Sequence, residues 1–515
     1  MSSQRRFYAG MLALVGFLLV LAVLRPLALP DEGRYGDVGR WMMVSGDWLT
    51  PRLDGLPFFH KPPLLHWLQA ISMTVFGVHP WSARLVPALH ATLMLGLLYL
   101  AARHISGERT AQRAAWMLGT SLTFLVAGQY VNHDMMVATW ISTAIWCFGG
   151  ALVLQGRTGR RLAWLGFVAC ALGVLSKGLI GLVLPGVVVV VWLFVVRLWP
   201  RALRLPWFSG LALFAAVALP WFVLAQRQFP GMFDYLIVGQ HFRRYTGSTF
   251  NNQFAAWFYP TILVGLLFPW ALLAAWDGLR TLLRQRLAVL WRAPDPWVAL
   301  LWVWLIAITV FFSLPRSKLV GYILPVLPPL ALLAAQAWER RWGGSVRAGR
   351  VFALLCGLNI ALAGVFSHQA GQFTLKRSSQ DVAAALACRI QPGDAVWVAG
   401  GYPYDLPFLA NLKQPLVVLA DWPALRLTAP DSWARELFEG SDFDAQAAQV
   451  LQSQQLLARP PASGHWLVTS RGIDGAPELA AWRKVLEGRA WTLWQSPASA
   501  PKSPEAAEHK SLDCR

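Results

Sequence analysis

Apolar residues in this chain come in runs of about 20, separated by short polar links, which is the period of a bilayer crossing. About eleven runs are expected to span: 7–29, 82–104, 111–129, 134–155, 162–176, 178–197, 207–226, 254–276, 296–314, 318–338 and 350–367. The fifth and sixth are short. Basic links flank the 162–197 stretch on both sides and require an even number of crossings, and Lys177-Gly178 is the turn that supplies it. The first run is too long for a signal-peptide core and has no small-residue cleavage site after it, so a retained helix is expected. From Glu32 to Ser45 the apolar positions Tyr35, Val38, Trp41 and Met42 recur at helical spacing with Arg34, Asp37 and Arg40 between them. This predicts an amphipathic helix in the membrane interface.

Past Phe366 the pattern changes. Short runs at Ala395 to Ala399, Pro415 to Leu419 and Trp466 to Ser470 alternate with Gly, Pro and Asp, and Ser379 to Cys388 reads as a helix. The expected organisation is a transmembrane domain, 1–367, with an outer loop, 30–81, carrying interfacial helices. A small α/β domain outside the membrane, 368–496, follows, and 497–515 is expected to be disordered.

Composition narrows the class. Charged residues make up 14% of the chain, against about 25% in soluble domains, so the fold class is an α-helical polytopic membrane protein. The net charge of +19 does not point to nucleic acid, because the arginines cluster in short links such as Arg103 to Arg113, Arg157 to Arg161 and Arg197 to Arg204. Those are positive-inside signals that mark cytoplasmic loops, with the N-terminus on the same side. By that topology Asp31, Lys61, Asn132 to Asp134, Ser176-Lys177, Arg227 to Gln253 and Arg316 to Lys318 all fall on the opposite, extracytoplasmic face. Cys147, Cys170 and Cys356 lie in apolar runs, where packing is their ordinary role. Cys388 and Cys514 either pair in an oxidising compartment or stay free, and spacing does not choose.

Several residues at that face carry chemistry. Asp31 and Glu32 are either an N-cap with a first-turn acid or a catalytic pair. Asp134, opening another span on the same face, favours the catalytic reading, with carboxylates orienting an acceptor and stabilising an oxocarbenium-like sugar. Lys61, Lys177, Arg243, Arg244, Arg316 and Lys318 put cations where the positive-inside tendency opposes them. Snorkelling accounts for one or two; the others make a phosphate cradle. Tyr322 closes over a substrate or is an interfacial aromatic. No cofactor is demanded by the pattern. A divalent metal at His60 and His241, with Glu32 or Asp134, stays open, since no close ligand spacing is present. His90, alone in a span, reads as a hydrogen-bonded core residue.

The segment DEGRYGDVGRWMMVSGDWLTPRLDGLPFFHKPPLLHWLQAISMTVFG resembles the first outer loop of bacterial aminoarabinose-transferase-like enzymes. These are GT-C glycosyltransferases related to the protein mannosyltransferases. SKGLIGLVLPG, HFRRYTG and FFSLPRSKLVGYILP resemble three further segments in the same order, so the likeness covers roughly residues 7–340. It implies a GT-C fold, a polyprenyl-phosphate-linked sugar donor and transfer on the periplasmic face of the bacterial inner membrane. It also implies Asp31 and Asp134 as key carboxylates, Arg34 as their support, Lys61, Lys177 and Arg244 as phosphate contacts, and Tyr322 over the cavity. His60 stands where the family commonly has Glu.

The expected activity is sugar transfer from that donor to an envelope acceptor, with lipid A or lipopolysaccharide favoured. A protein O-mannosyltransferase-like activity is the alternative within enzymes. A lipid or sugar transporter is the alternative from another class, and it would place its ionisable residues near mid-membrane rather than at span ends.

Overall fold

The computed structural model describes residues 3–243, 252–285, 295–461 and 464–497. The chain divides into two compact units. A helical unit comprises Met1–Leu24, His60–Leu65 and Arg84–Ser367, and a sheet unit comprises Arg25–Phe59, His66–Ala83 and His368–Arg515.

Among the described residues eight helices are long and apolar enough to cross a bilayer, so the chain is a multi-pass membrane protein. A ninth crossing results if the bent pair Phe258–Gly265 and Trp270–Leu283 is one span. Two local features account for the distance from eleven. The run 82–104 and the first half of 111–129 fall within one helix of 40 residues, Pro80–Gly119, broken at Gly107 where φ is 80° and ψ 171°. The run 178–197 forms Ile180–Val196, whose 17 residues stand at the short end of what crosses a bilayer and are not counted among the eight. The turn expected at Lys177-Gly178 is present. Gly178 has φ 89°, a conformation open to glycine at little cost, and it ends the Gly156–Lys177 helix. His90 is buried with Nδ1 2.8 Å from the Val86 carbonyl.

In the sheet unit, Arg52–Leu53 (β1) and Leu56–Pro57 (β2) form a small antiparallel ladder. Six further strands make one sheet: Ala395–Ala399 (β3), Val417–Ala420 (β4), Leu451–Ser453 (β5), His465–Ser470 (β6), Arg483–Glu487 (β7) and Trp491–Gln495 (β8). Their order is β5-β4-β3-β6-β8-β7, with β5, β4, β3 and β6 parallel and the β7–β8 hairpin antiparallel on the β6 edge. The strand sequences AVWVA and VVLA are wholly apolar, and HWLVTS is apolar at its centre, because both faces of a parallel sheet are covered. Trp397, Leu467, Trp482 and Trp494 pack together on one face. The expected helix at 379–388 is Gln380–Ala387, with Ser379 and Cys388 as its caps. Cys388 is exposed, whereas Cys514 and the tail from residue 498 lie outside the described residues.

The Asp31–Ser45 helix forms as the spacing predicts, but its polar face is not turned to solvent. Asp37 and Arg40 are as buried as Val38 and Met42. Arg40 pairs with Asp37 at 2.6 Å and donates to the Leu412 carbonyl at 2.5 Å, and Asp54 on the next turn accepts from the Leu416 N–H at 2.7 Å. Protein groups from the 400s therefore replace the water that an amphipathic pattern assumes.

Candidate functional site

Within the helical unit, the Asp134–Leu154 helix opens on Asp134 and the Gly156–Lys177 helix closes on Lys177. The short turn between them folds the second helix back along the first, so these two ends meet. Lys177 Nζ pairs with Asp134 Oδ1 and lies 4.3 Å from the centre of the Tyr322 ring, a cation–π contact. Asn132 secures the other side of the carboxylate: its Nδ2 donates to Asp134 Oδ2 and its Oδ1 accepts from the Asp134 N–H, each at 2.9 Å. The approach of Tyr322 depends on its neighbour, because a Cβ at Gly321 would run into the Asp134 carboxylate. The Asp134 and Lys177 side chains keep only 8% and 11% of their exposure. The result is an enclosed pair of opposite charges under an aromatic ring.

Other predicted residues of this unit are placed differently. Lys61 is half-buried and its Nζ donates to the His60 carbonyl at 2.9 Å. His60 Nε2 lies 2.7 Å from the Tyr235 hydroxyl, a partner the sequence does not announce. Arg316 is exposed. Lys318 departs from the phosphate-cradle expectation: it is 2% exposed and its ammonium donates to the Phe254 carbonyl at 2.9 Å and to that of Pro315. A cation whose donors are taken by backbone carbonyls ties a loop together. Arg244 lies outside the described residues, and His241 and Arg243 are described only as the end of the helical stretch Asp234–Arg243. Among the described residues no three His, Cys, Asp or Glu side chains converge so as to hold a metal ion.

Within the sheet unit, Asp31 opens the Asp31–Ser45 helix and Arg34, one turn on, donates to its Oδ1 at 2.5 Å. The same guanidinium pairs with Glu436 through its other terminal nitrogen, and the Tyr404 hydroxyl donates to the second Glu436 oxygen at 2.8 Å. Gly33 lets the helix come this close, since a Cβ there would meet the Tyr404 backbone at 2.9 Å. Asp31 is the accessible member, with a side chain 32% exposed against 14% for Arg34 and 8% for Glu436. Burial pushes the Glu436 carboxyl above the usual glutamate range; Arg34 and the Tyr404 hydroxyl oppose this, while Asp31 and Asp431 add to it. For Arg34, burial works against the charge, but Glu436, Tyr35 and Asp31 together hold it well above its ordinary value. Glu32, expected as a catalytic acid, is fully buried in a fork with Arg25 at 2.7 and 2.9 Å and accepts from the Ala28 N–H at 2.6 Å. That geometry fastens the start of the helix beneath Asp31.

Tyr404 and Glu436 are the residues that sequence reasoning missed. Tyr404 follows strand β3 in the turn GGYPYD, where ligand-contacting loops of parallel sheets commonly lie, and that is a weak signal. Glu436 gives none beyond being a buried acid on the Trp433–Ser441 helix.

Comparison with known proteins adds to this geometry. Residues 60–223 match the family described as dolichyl-phosphate-mannose-protein mannosyltransferase. The undecaprenyl phosphate-alpha-4-amino-4-deoxy-L-arabinose arabinosyl transferase of Pseudomonas aeruginosa strain UCBPP-PA14 is 32% identical over 345 residues, 66% of this chain and 61% of that protein. The enzyme of the same name from Pseudomonas savastanoi pv. phaseolicola is 36% identical over 349 residues, 64% of this chain and again 61% of the relative. The chain thus matches about three fifths of the length of these curated relatives. In structure, it is similar to ArnT from Cupriavidus metallidurans bound to undecaprenyl phosphate, with a TM-score of 0.77 and 25% identity, covering 95% of this chain and 97% of that one. An archaeal oligosaccharyltransferase from Archaeoglobus fulgidus shares the fold at a TM-score of 0.50 and 14% identity, over 92% of this chain and 70% of the other.

Proposed function

We propose that this chain, an aminoarabinose-transferase-like membrane protein of the GT-C fold, transfers a sugar from a polyprenyl-phosphate donor to an envelope acceptor, with lipid A or lipopolysaccharide favoured. One observation carries the reading. The Asp134–Lys177 pair under Tyr322 closes the ends of two membrane helices in a chain similar along almost its whole length to a transferase solved with undecaprenyl phosphate. The bilayer is the inner membrane of a bacterium, with the arginine-rich links cytoplasmic and the C-terminal domain periplasmic.

In the transfer, the bond between the sugar's anomeric carbon and the donor phosphate oxygen breaks, and the phosphate leaves with the electron pair. A new bond forms from the acceptor oxygen to that carbon. Lys177 stabilises the negative charge that develops on the leaving phosphate, since its ammonium is a positive charge held in place by Asp134 at the end of a membrane helix. Asp134 and Asn132 hold Lys177 in place, and the Tyr322 ring shields its charge from water. Lys61 is a second phosphate contact, and Arg316 and the arginines at 243 and 244 are further candidates.

Asp31 is the accessible carboxylate, oriented by Arg34. Toward a phosphate acceptor, already ionised, it positions the sugar. Toward a hydroxyl acceptor it is the general base that takes the proton. Glu32 is a positioning residue for the helix that carries Asp31.

A protein O-mannosyltransferase-like activity is the second reading, favoured by the family match over residues 60–223. Mass spectrometry of lipid A and core sugars from cells with and without this protein separates the two. Loss of one glycosyl mass in the deletion, restored by the wild type and not by Asp31→Asn, is the expected result. Unchanged lipid A and core, with a sugar missing from envelope glycoproteins, would replace the favoured acceptor with protein.

A further inference from the structure

The opposite end of the same helix pair holds a second feature that sugar transfer does not use. The Asp134–Leu154 helix has 21 residues, about 30 Å, so its last turn lies a membrane's thickness from Asp134. There a cavity of about 220 Å³ is lined by Gln155, Gly159, Arg160, Arg201, Arg204 and Pro206. Its walls hold three guanidinium groups and no carboxylate.

Arg201 is built into the wall. Its Nη1 donates to the Leu152 carbonyl at 3.0 Å, one of the carbonyls left over at the helix end. With its amide turned to satisfy both groups, Gln155 accepts from Arg201 Nε at 2.9 Å and Nη1 at 3.2 Å. Arg160 and Arg204 are exposed and, among the described residues, make no ion pair or side-chain hydrogen bond.

The positive-inside tendency alone predicts scattered, solvated arginines, and elsewhere on this face several have acid partners. Arg103 pairs with Glu108, Arg113 with Glu339 and Arg340 with Asp277. Between Asp134 and Asp234 the chain has no acidic residue, and no carboxylate is among the residues that line the cavity. The cavity also sits at a defined depth. Trp199, Trp207 and Phe208 beside it in the chain are 46%, 47% and 91% exposed, as aromatic and apolar groups are where a helix meets the interface. Lipid phosphates lie at that depth, and basic pockets between membrane helices bind anionic head groups there.

We propose that this cavity binds the phosphate of an anionic phospholipid, with Arg160 and Arg204 contacting the phosphate oxygens and Arg201 fixing the wall behind them. Size agrees with a head group. The cavity is smaller than the roughly 300–1,000 Å³ of pockets that enclose whole ligands, yet holds several waters' worth of volume at about 30 Å³ each. The proposal does not rest on the glycosyl-transfer reading.

The test uses the full-length protein in neutral detergent. Native mass spectrometry compares retention of phosphatidylglycerol with that of phosphatidylcholine, for wild type and for the double variant Arg160→Gln/Arg204→Gln. Thermal shift with inorganic phosphate runs in parallel. Wild type is expected to retain phosphatidylglycerol over phosphatidylcholine, and the double variant to retain it roughly tenfold less, as loss of charge-assisted contacts implies. The single variant Arg204→Gln serves if the double variant is not stable. Equal retention of the two lipids by wild type, with no phosphate stabilisation, overturns the site. So does equal behaviour of wild type and variant. Phosphate stabilisation lost in the variant, without lipid retention, keeps the anion site and overturns the lipid as its source.

Discussion

Asp134 and Asp31 look alike in outline. Each opens a helix, each faces a cation and each has a tyrosine at hand, yet the two clusters are built on different charge balances. In the helical unit one carboxylate meets one ammonium, both nearly enclosed, and Tyr322 contributes its ring. In the sheet unit one guanidinium serves two carboxylates, Asp31 and Glu436, and Tyr404 contributes its hydroxyl. The first is neutral and closed. The second carries an acid in excess and leaves Asp31 a third exposed, while burial raises the pKa of its inner acid, Glu436. A closed neutral pair suits holding charge in place, and an open acidic cluster suits meeting an acceptor.

The largest expected effect separates those tasks. Asp31→Asn keeps the shape of the sheet-unit cluster and removes its accessible charge. With a hydroxyl acceptor it should lower kcat by about 10²–10⁴-fold, the usual worth of a general base, with the thermal midpoint nearly unchanged. A large drop in midpoint with turnover intact would reverse the two assignments. Next in size is the closed pair. Lys177→Met strands the Asp134 carboxylate in a largely buried place, and breaking such a pair costs about 3–5 kcal/mol of stability. Adding Asp134→Leu should recover most of that loss in thermal unfolding without recovering transfer. If the double variant is no more stable than the single one, the pair is not the closed unit described.

How much of this was legible follows from where the partners lie. Asp134 and Lys177 could be placed at one membrane face from sequence, though not as a pair, because both end apolar runs that a bilayer forces to start and stop at its surfaces. Tyr322 fell at the same face by the same reasoning. The strands at 395–399 and 466–470 stood out because a covered parallel sheet demands apolar runs. The Asp31 cluster was half legible. Arg34 lies one helical turn from Asp31, but Glu436 is about 400 residues away and no local pattern marks it. The charges read as a wet helix face, Asp37 and Arg40, are buried because their partners are backbone and side-chain groups that arrive late in the chain. Lys318 is placed against backbone carbonyls for a related reason: counting cations does not reveal carbonyls already bound to them.

A smaller effect tests the acid in excess. With its pKa raised by burial in the folded state, Glu436 binds its proton more tightly folded than unfolded. Its contribution to stability is therefore fully present below the unfolded value of 4.5 and is lost as pH rises through the folded value. Glu436→Gln cannot titrate. The variant's stability relative to wild type should increase with pH across that window, by at most about 1.4 kcal/mol per unit. Thermal unfolding from mild acid to neutral measures it, and a difference independent of pH would mean that burial does not raise the pKa of Glu436.

The last comparison sets the two tyrosines against each other, and the smallest expected effect is at Tyr322. Tyr404 acts through its hydroxyl, which donates to Glu436 at 2.8 Å, so Tyr404→Phe deletes one hydrogen bond to a charged group. That should cost about 1.5–3 kcal/mol at a pH where Glu436 is ionised and less where it is protonated. Because the hydroxyl holds the Glu436 carboxyl down, its loss should also move the Glu436 titration upward. Tyr322 acts through its ring over Lys177, and phenylalanine keeps a ring with a negative face. Tyr322→Phe should therefore change stability by under about 1 kcal/mol and show no pH dependence of its own. Two identical substitutions, one with pH dependence and one without, would mean that the protein uses tyrosine as a hydrogen-bond donor in one unit and as an aromatic lid in the other. Matching pH behaviour would mean the two clusters share a design after all.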